Sequence, residues 1–414
     1  MHPQFLSLLR NNFLRSSSSG PTSPSKLWKT LKPIPATFLR GGTSKGVFLQ
    51  EQYLPHNRSH WDPIFLGIMG SPDPKYGRQL DGMGGGISSL SKICVVGPPT
   101  TEQASQGIHV QYTFVQVGIQ DRAIDYSGNC GNLSSMIGVF AVDEGLCKPH
   151  TKDDGLMSTT VRSFNTNTRK VIDTTFPVTH DGVPLLDLPQ TSIAGVSGTA
   201  SRIILDFVNP GGARTGKLLP TTNPTDVLEV SSDGHNLMSF TASLVDATNP
   251  TVFLSYNELA EKGLPMEDYI NGVQPYTTRV GSLLESLRQE GAKKMGLDPC
   301  TQAQPKVAFL RSPNKKVESN SHICVYALSM GALHKAVPMT VGLCLGVASK
   351  IEGTIPWKII NRRDTGNNSN IEFITLRHPG GVVDVGARFD EVGNVTSANV
   401  IRTGRRLMKG SVWW

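Results

Sequence analysis

Cys130 lies in the stretch Asp125-Tyr126-Ser127-Gly128-Asn129-Cys130-Gly131-Asn132-Leu133, among residues that can make a thiol reactive. Glycines on both sides let backbone N–H groups converge on whatever sits there. Leu133, Ile137 and Phe140 then repeat at helical spacing, so the turn opens onto a helix N-terminus carrying about half a positive charge. That environment stabilises a thiolate and binds carboxylates, with Ser127, Gly128, Asn129, Gly131 and Asn132 as the donors. The same residue types also suit a small buried cysteine in a tight turn.

A second stretch runs from Asp81 through Gly82-Met83-Gly84-Gly85-Gly86-Ile87-Ser88-Ser89-Leu90-Ser91 to Lys92. A glycine-rich loop ending in Ser and Lys is similar to a phosphate loop. It lacks the GxxxxGK order, however, and a strand follows it rather than a helix, so nucleotide binding is not expected. Gly84, Gly85, Gly86, Ser88 and Ser91 offer amides and hydroxyls to a carboxylate-rich ligand. The stem of Lys92 runs into the apolar Ile93–Val96. A desolvated lysine loses basicity and can serve as a base; a lysine snorkelling to the surface is the alternative. In a third stretch, Arg40-Gly41-Gly42-Thr43-Ser44-Lys45-Gly46, Arg40 suits a carboxylate held by two parallel hydrogen bonds, and Thr43, Ser44 and Lys45 add donors. A polar hairpin turn would use the same residues. His378, in the turn Arg377–Gly381, is a ligand contact or only a turn histidine. Met330, in the turn Ser329-Met330-Gly331, completes the candidate substrate contacts.

These residues need elements to position them. Ala36–Leu49 starts apolar, turns at Gly41-Gly42 and resumes at Val47-Phe48-Leu49, a strand, a turn and a strand. A helical stretch over Pro63–Met69 and the turn Ser71-Pro72-Asp73-Pro74 follow. Ile108, Val110, Tyr112 and Phe114 alternate with polar residues, which predicts a strand with one buried face over 107–115. The parity changes at Val115-Gln116-Val117, as at a bulge or a new strand. Thr159–Ser163, Lys170–Phe176 and Ile203–Phe207 are further strands, and the Gly- and Pro-rich Asn209–Pro220 marks a domain boundary. Beyond it, Val252–Leu254, Lys306–Leu310 and Ile323–Leu328 are strands, and Tyr269–Gln289 holds one or more helices. A helix bearing Val337, Val341, Leu345 and Ala348 comes next, and strands over 371–376, 382–388 and 396–401 close the chain. Each half is thus several strands, a tight turn and one helix apolar around most of its circumference, which belongs inside something. The expected fold is α+β, two-lobed and pseudo-symmetric: domains 36–210 and 211–414, each a sheet wrapped round its helix, with the site in the cleft between them.

Composition narrows the function. A chain of 414 residues suits two domains. Its net charge of +7 is spread over scattered Lys and Arg, not gathered into a basic patch interleaved with aromatics, so nucleic acid is not an expected partner. No run of eighteen apolar residues predicts a membrane span. The six cysteines form no CxxC pair and the histidines no HExxH, so no metal is expected and the thiols read as free. Residues 1–35 carry Arg10, Arg15, Lys26, Lys29, Lys32 and the run Ser16–Ser19, with no acidic residue before Glu51. That is the composition of a mitochondrial transit peptide or of a disordered tail.

Taken in order, RGGTSKG at Arg40–Gly46, SPDP at Ser71–Pro74, DGMGG at Asp81–Gly85, SK at Ser91–Lys92 and SGNCGN at Ser127–Asn132 resemble the PrpF family of 2-methylaconitate and aconitate isomerases. GKLLPT at Gly216–Thr221, NPTVF at Asn249–Phe253, KMGL at Lys294–Leu297 and ALSMGALHKA at Ala327–Ala336 are weaker echoes. The resemblance implies a diaminopimelate-epimerase-like fold of two β-barrel-like domains, each around a central helix. It also implies a polycarboxylate in the cleft, Lys92 and Cys130 as the catalytic pair, and no cofactor; a homodimer is compatible with it. Two departures stand out. The related epimerases use two cysteines, one at the tip of each central helix. Here Cys344 lies about 9 Å along the second helix at about 1.5 Å per residue, so two-thiol epimerisation is not expected. The family's His-Pro-Ser-Gly turn reads His378-Pro379-Gly380-Gly381 here, without the hydroxyl. The expected reaction is a 1,3-allylic proton shift in an unsaturated tricarboxylate such as aconitate or 2-methylaconitate. The alternatives are tautomerisation of an oxo-dicarboxylate such as 4-oxalomesaconate, or a non-catalytic accessory role beside a dehydratase.

Overall fold

The computed structural model describes residues 33–148, 151–152, 157–232, 236–314, 316–318, 320–361 and 371–414. The leader proposed from composition lies, up to residue 32, outside the described residues. The long strands of the first half are β1 (Ile34–Gly41), β2 (Ser44–Gln50), β3 (Lys92–Gly97), β4 (Val110–Val117), β5 (Ser158–Asn165), β6 (Lys170–Pro177) and β7 (Ile203–Val208). Those of the second are β8 (Asp226–Ser232), β9 (Asn236–Ala247), β10 (Asn249–Ser255), β11 (Lys306–Arg311), β12 (Ile323–Ser329), β13 (Phe373–His378), β14 (Gly381–Phe389), β15 (Val395–Arg402) and β16 (Gly404–Val412).

The pairing spells out, strand by strand, the repeat that the sequence pattern predicts. From β16 the neighbours run β1, β2, β3, β4, β5, β6, β7, in the pairing order antiparallel, antiparallel, parallel, antiparallel, parallel, antiparallel, antiparallel. From β8 they run β9 to β15 in the same order of senses. The halves join where β7 pairs with β15. For the repeat to be complete, the last strand must return to the first half, and β16 does so by pairing with β1 from Ile34–Val412 to Gly41–Gly404.

Each half covers both faces of its sheet with helices. In the first, α1 (Trp61–Met69) packs Trp61, Ile64, Phe65 and Ile68 against Val47, Leu49, Val95, Val115 and Val117. On the other face α2 (Gly131–Ser134) and α3 (Ile137–Asp143) set Leu133, Ile137 and Phe140 against Phe48, Cys94, Tyr112 and Phe114. Burial on both faces explains the change of parity in β4. That strand is continuous and unbulged, with Tyr112 and Phe114 facing one helix layer and Val115 and Val117 the other. In the second half α4 (Tyr276–Lys294) packs Leu284 and Leu287 against Val252, Leu254 and Phe309. Inside lies α5 (Met339–Ala348), buried from Val341 to Ala348, followed by α6 (Ile355–Asn361). Each fully buried Leu or Phe contributes about 1.5–3 kcal/mol. The sequence pattern missed the hairpin β8–β9, the helix α6 and the final strand β16.

Candidate active site

The Arg40–Gly46 turn is shaped to press against the start of α2. A Cβ on Gly41 would come within 2.3 Å of the Asn132 carbonyl oxygen, and one on Gly42, at φ +51°, within 2.3 Å of the Asn132 side-chain oxygen. On Gly46 it would meet Leu133 at 2.7 Å. Only glycine permits approaches this close. They bring buried Ser44 to Cys130, whose Sγ donates to Ser44 Oγ at 3.8 Å. Cys130 itself caps α2 in an extended conformation. Its turn is fixed from β4: the Tyr112 hydroxyl bonds Asn129 Oδ1 at 3.2 Å and Ser134 Oγ at 2.9 Å, and Asn129 Nδ2 donates to Ser134 Oγ at 3.1 Å. Burial pushes the Tyr112 hydroxyl up, so it remains a neutral phenol.

Lys92 opens β3 and is 7% exposed. Its Nζ donates to Gln116 Oε1 at 2.5 Å and lies 5.5 Å from the centre of the Phe114 ring. Gln116 is held in that orientation because its Nε2 donates to the carbonyls of Ser88 at 3.2 Å and Ser91 at 3.0 Å. Burial lowers the pKa of the Lys92 ammonium, while its interaction with Cys130 acts in the opposite direction. Amine and thiol thus sense one another across a desolvated site, Lys92 from the sheet and Cys130 from the helix.

The second half contributes a cation and two imidazoles. Arg402 ends β15 and donates from Nε to Asn132 Oδ1 at 3.0 Å and from Nη1 to the Ile401 carbonyl at 2.9 Å. Burial pushes its guanidinium down to about 10, and the Cys130 thiolate opposes that. His378 ends β13 and is lowered to about 4 by burial, then by Arg402, His334 and Arg377. His378 Nδ1 accepts from the Gly380 N–H at 3.1 Å, and His334 Nδ1 from the Ala336 N–H at 3.0 Å. Each imidazole, when neutral, therefore carries its proton on Nε2. The starts of the two central helices meet, since a Cβ on Gly131 would lie 2.1 Å from Met339 Sδ. Beside that contact is a cavity of about 610 Å³ lined by Ser127, Asn129 and Gly131 from one half and Met339 and Thr340 from the other.

Other candidates are placed elsewhere or already engaged. The glycine-rich loop packs around fully buried Gln79, whose Oε1 accepts from the Gly86 N–H at 3.0 Å and from Ser91 Oγ at 2.6 Å. A Cβ on Gly84 would sit 2.4 Å from that side chain, and one on Gly85 2.6 Å from Leu90. The Gly84 N–H goes to the Met69 carbonyl. Gly84, Gly86 and Ser91 therefore build the loop, and Ser88 supplies its carbonyl to Gln116; the expected cradle of free amides is corrected accordingly. Arg40 spends Nη1 on the Gly42 carbonyl and on both oxygens of Thr403, and it lines a separate cavity of about 600 Å³ with Arg405 and Arg406. Lys45, next to Ser44 on β2, faces the other side, its ammonium 5.9 Å from the Phe38 ring. Thr43 accepts from Asn132 Nδ2 at 3.0 Å. Gly128 has open space where a Cβ would point. Met330 is exposed, at φ +52°, next to Arg288 and Lys306. Gln79, Tyr112, Gln116, His334 and Arg402 were not singled out by sequence. His334 alone had a local signal, lying within the Ala327–Ala336 echo. Among the described residues no three His, Cys, Asp or Glu side chains cluster as metal ligands, and no helix is long and apolar enough to cross a membrane.

Comparison with known proteins identifies the family. The family model described as PrpF protein matches residues 31–414. The chain is 34% identical over 413 residues to the 2-methyl-aconitate isomerase of Shewanella oneidensis, covering 94% of this chain and 98% of that protein. It is also 34% identical over 399 residues to the 3-methylitaconate isomerase of Eubacterium barkeri, covering 92% and 97%. A crystal structure of methylitaconate-delta-isomerase superposes with a TM-score of 0.78 at 34% identity, covering 92% of this chain and 95% of that one. With a family model spanning nearly all of it and relatives a third identical along their whole length, the chain belongs to the PrpF family and is an isomerase.

Proposed function

We propose that this isomerase moves a proton between the ends of an allyl system in an unsaturated tricarboxylate such as aconitate or 2-methylaconitate, without a cofactor. The observation that supports the reading is the electrostatic coupling of the Lys92 amine, its basicity reduced by burial, to the Cys130 thiol at the N-cap of α2. In such a substrate a C–H next to the double bond is weakly acidic, because its carbanion spreads as a dienolate into a carboxylate. One of the pair removes that proton, and the other returns one at the far carbon, so the double bond moves and no net proton is gained or lost. Groups of this kind are worth about 10²–10⁴-fold each, and donors that stabilise the dienolate add to that. We read residues 36–210 and 211–414 as two barrel-like domains, with β16 crossing back to the first and the substrate between the helix tips.

Gly380 favours a second reading, tautomerisation of an oxo-dicarboxylate. A Cβ there would lie 3.0 Å from the Lys335 carbonyl, so a serine would be crowded, and the hydroxyl that would touch a substrate carboxylate is missing. Proton NMR in D₂O with cis-aconitate, 2-methylaconitate and 4-oxalomesaconate separates the readings. Deuterium entering a tricarboxylate as its double bond moves, and abolished in Lys92→Ala and Cys130→Ser, is the expected result. Exchange of the oxo-acid alone would favour the second reading, and exchange of none of the three would discard both.

A further inference from the structure

Arg402 is a cation without an anion. Of the other buried or half-buried arginines, Arg162 meets Asp173 at 2.7 Å, Arg288 meets Glu285 at 2.6 Å, and Arg311 and Arg377 meet Glu318 at 2.8 and 3.4 Å. Arg40 lacks one too, but three protein oxygens occupy its Nη1. Arg402 gives Nε to Asn132 Oδ1 and Nη1 to its neighbour's carbonyl; among the described residues Nη2 has no acceptor and no carboxylate pairs with it. A guanidinium offers five N–H donors, and a desolvated charge left unpaired is costly.

Its orientation is not accidental. Asn132 Nδ2 is tied to Thr43 Oγ1, which turns Oδ1 toward Arg402, and the Gly42 turn presses on the same amide. One edge of the fork is thus clamped to the helix that begins at Cys130. The groups electrostatically coupled to it are Cys130 from the first half and His378 from the second.

We infer that Arg402, clamped by Asn132 beside Cys130, receives a carboxylate of the substrate and sets the enzyme's preference for polyacids. This rests on the reading of the substrate as an unsaturated polycarboxylate. A carboxylate takes two parallel hydrogen bonds from such a fork, and a lysine cannot reproduce that geometry.

The test is alkylation of Cys130 by iodoacetamide, followed by mass spectrometry with exposed Cys300 as the internal reference, with and without tricarballylate. That saturated tricarboxylate has no double bond to move, so it reports on anion binding apart from turnover. In the wild type, tricarballylate slows alkylation of Cys130 and not of Cys300. In Arg402→Ala and Arg402→Lys the protection requires about ten- to a hundredfold more tricarballylate; the rate without ligand stays near the wild type in Arg402→Lys, which keeps the charge, and slows in Arg402→Ala. KM for the acid turned over rises by a similar factor, and guanidinium ion restores part of the loss in Arg402→Ala. Circular dichroism melting checks folding, and Arg402→Lys carries the test if the alanine variant does not fold. Unchanged protection and KM in folded variants would overturn the inference, as would a fall in ligand-free alkylation without loss of protection, which would make Arg402 a support for the thiolate. A wild type that is protected by tricarballylate yet turns over none of the acids would sink the proposed reaction and leave the anion site standing.

Discussion

At Lys92, burial dominates: the Phe114 ring and the Gln116 amide replace water around the ammonium, and the interaction with Cys130 recovers only part of the loss. If Lys92 is the base, kcat/KM rises as pH climbs through its folded-state pKa, with a midpoint below the ordinary 10.5. Lys92→Ala removes that limb and costs about 10²–10⁴ in kcat; a midpoint unmoved in the variant would assign the limb to another group. His378 obeys the opposite habit from a histidine that gains a carboxylate. Its folded pKa, about 4, lies below the ordinary 6.5, so the folded state binds the proton less readily than the unfolded chain. The stability it contributes is complete above pH 6.5 and is lost as pH falls toward 4. His378→Asn is therefore expected to flatten the thermal-stability profile across that window, and an unaltered slope there would count against it. Lys92 and Cys130 stood out as a candidate pair because each sits in a short motif with a stated chemistry. Arg402 was not, since a lone arginine at a strand end carries no local sign of a partner 270 residues away. Gly84, Gly86 and Ser91 were legible as a loop but misread as ligands, because nothing local announces that Gln79 will fill it.

At the scale of elements, the tip of α2 is set by a strand turn that only glycine can make. Gly42→Ala puts a methyl 2.3 Å from Asn132 at a φ of +51°. It is expected to cost about 1–3 kcal/mol, read as a lower Tm, and to reduce kcat by shifting Cys130; a variant with wild-type Tm and rate would show that the turn does not position the helix. The other central helix makes a contrasting case. Cys344 is fully buried in α5, its Sγ donates to the Val245 carbonyl at 3.5 Å, and burial pushes its thiol up to about 12. Cys344→Ala should therefore leave turnover within a few-fold and cost about 1 kcal/mol of stability, whereas loss of activity equal to that of Cys130→Ser would restore a two-thiol mechanism. The apolar circumference of α5 marked it as a central helix in the sequence. The strands β1 to β7 were also largely legible, because alternation or apolar runs betray a covered face. β16 was not: its residues Arg405 to Ser411 are exposed, so Gly404–Val412 shows no alternation and reads as loop. Exposed Arg and Lys on such a strand also blunt a sheet edge.

The whole molecule depends on that unadvertised strand. Two halves with the same order of pairing senses are not two independent lengths of chain, because the first half borrows its eighth strand from the C-terminus. β16 covers β1 over its full length, Arg406 holds Asp143 at the end of α3 through two hydrogen bonds of 2.6 and 2.7 Å, and Trp414 packs on Gly67 of α1. Pattern reading finds the repeat because both halves carry a tight turn and an apolar helix; it cannot find the crossover, since antiparallel pairing between residues far apart leaves no periodic trace. The crossover makes a definite prediction. Residues 33–210 expressed alone leave β1 as a bare edge and should unfold without cooperativity or aggregate. The same segment with residues 403–414 joined through a flexible linker should regain a single sharp thermal transition, because the linker only has to supply the strand at high effective concentration. If the short segment folds as sharply as the joined one, β16 is an ornament on a self-sufficient half. If neither folds, the seam between β7 and β15 is what the first half requires, and the isomerase is one folding unit with two similar halves.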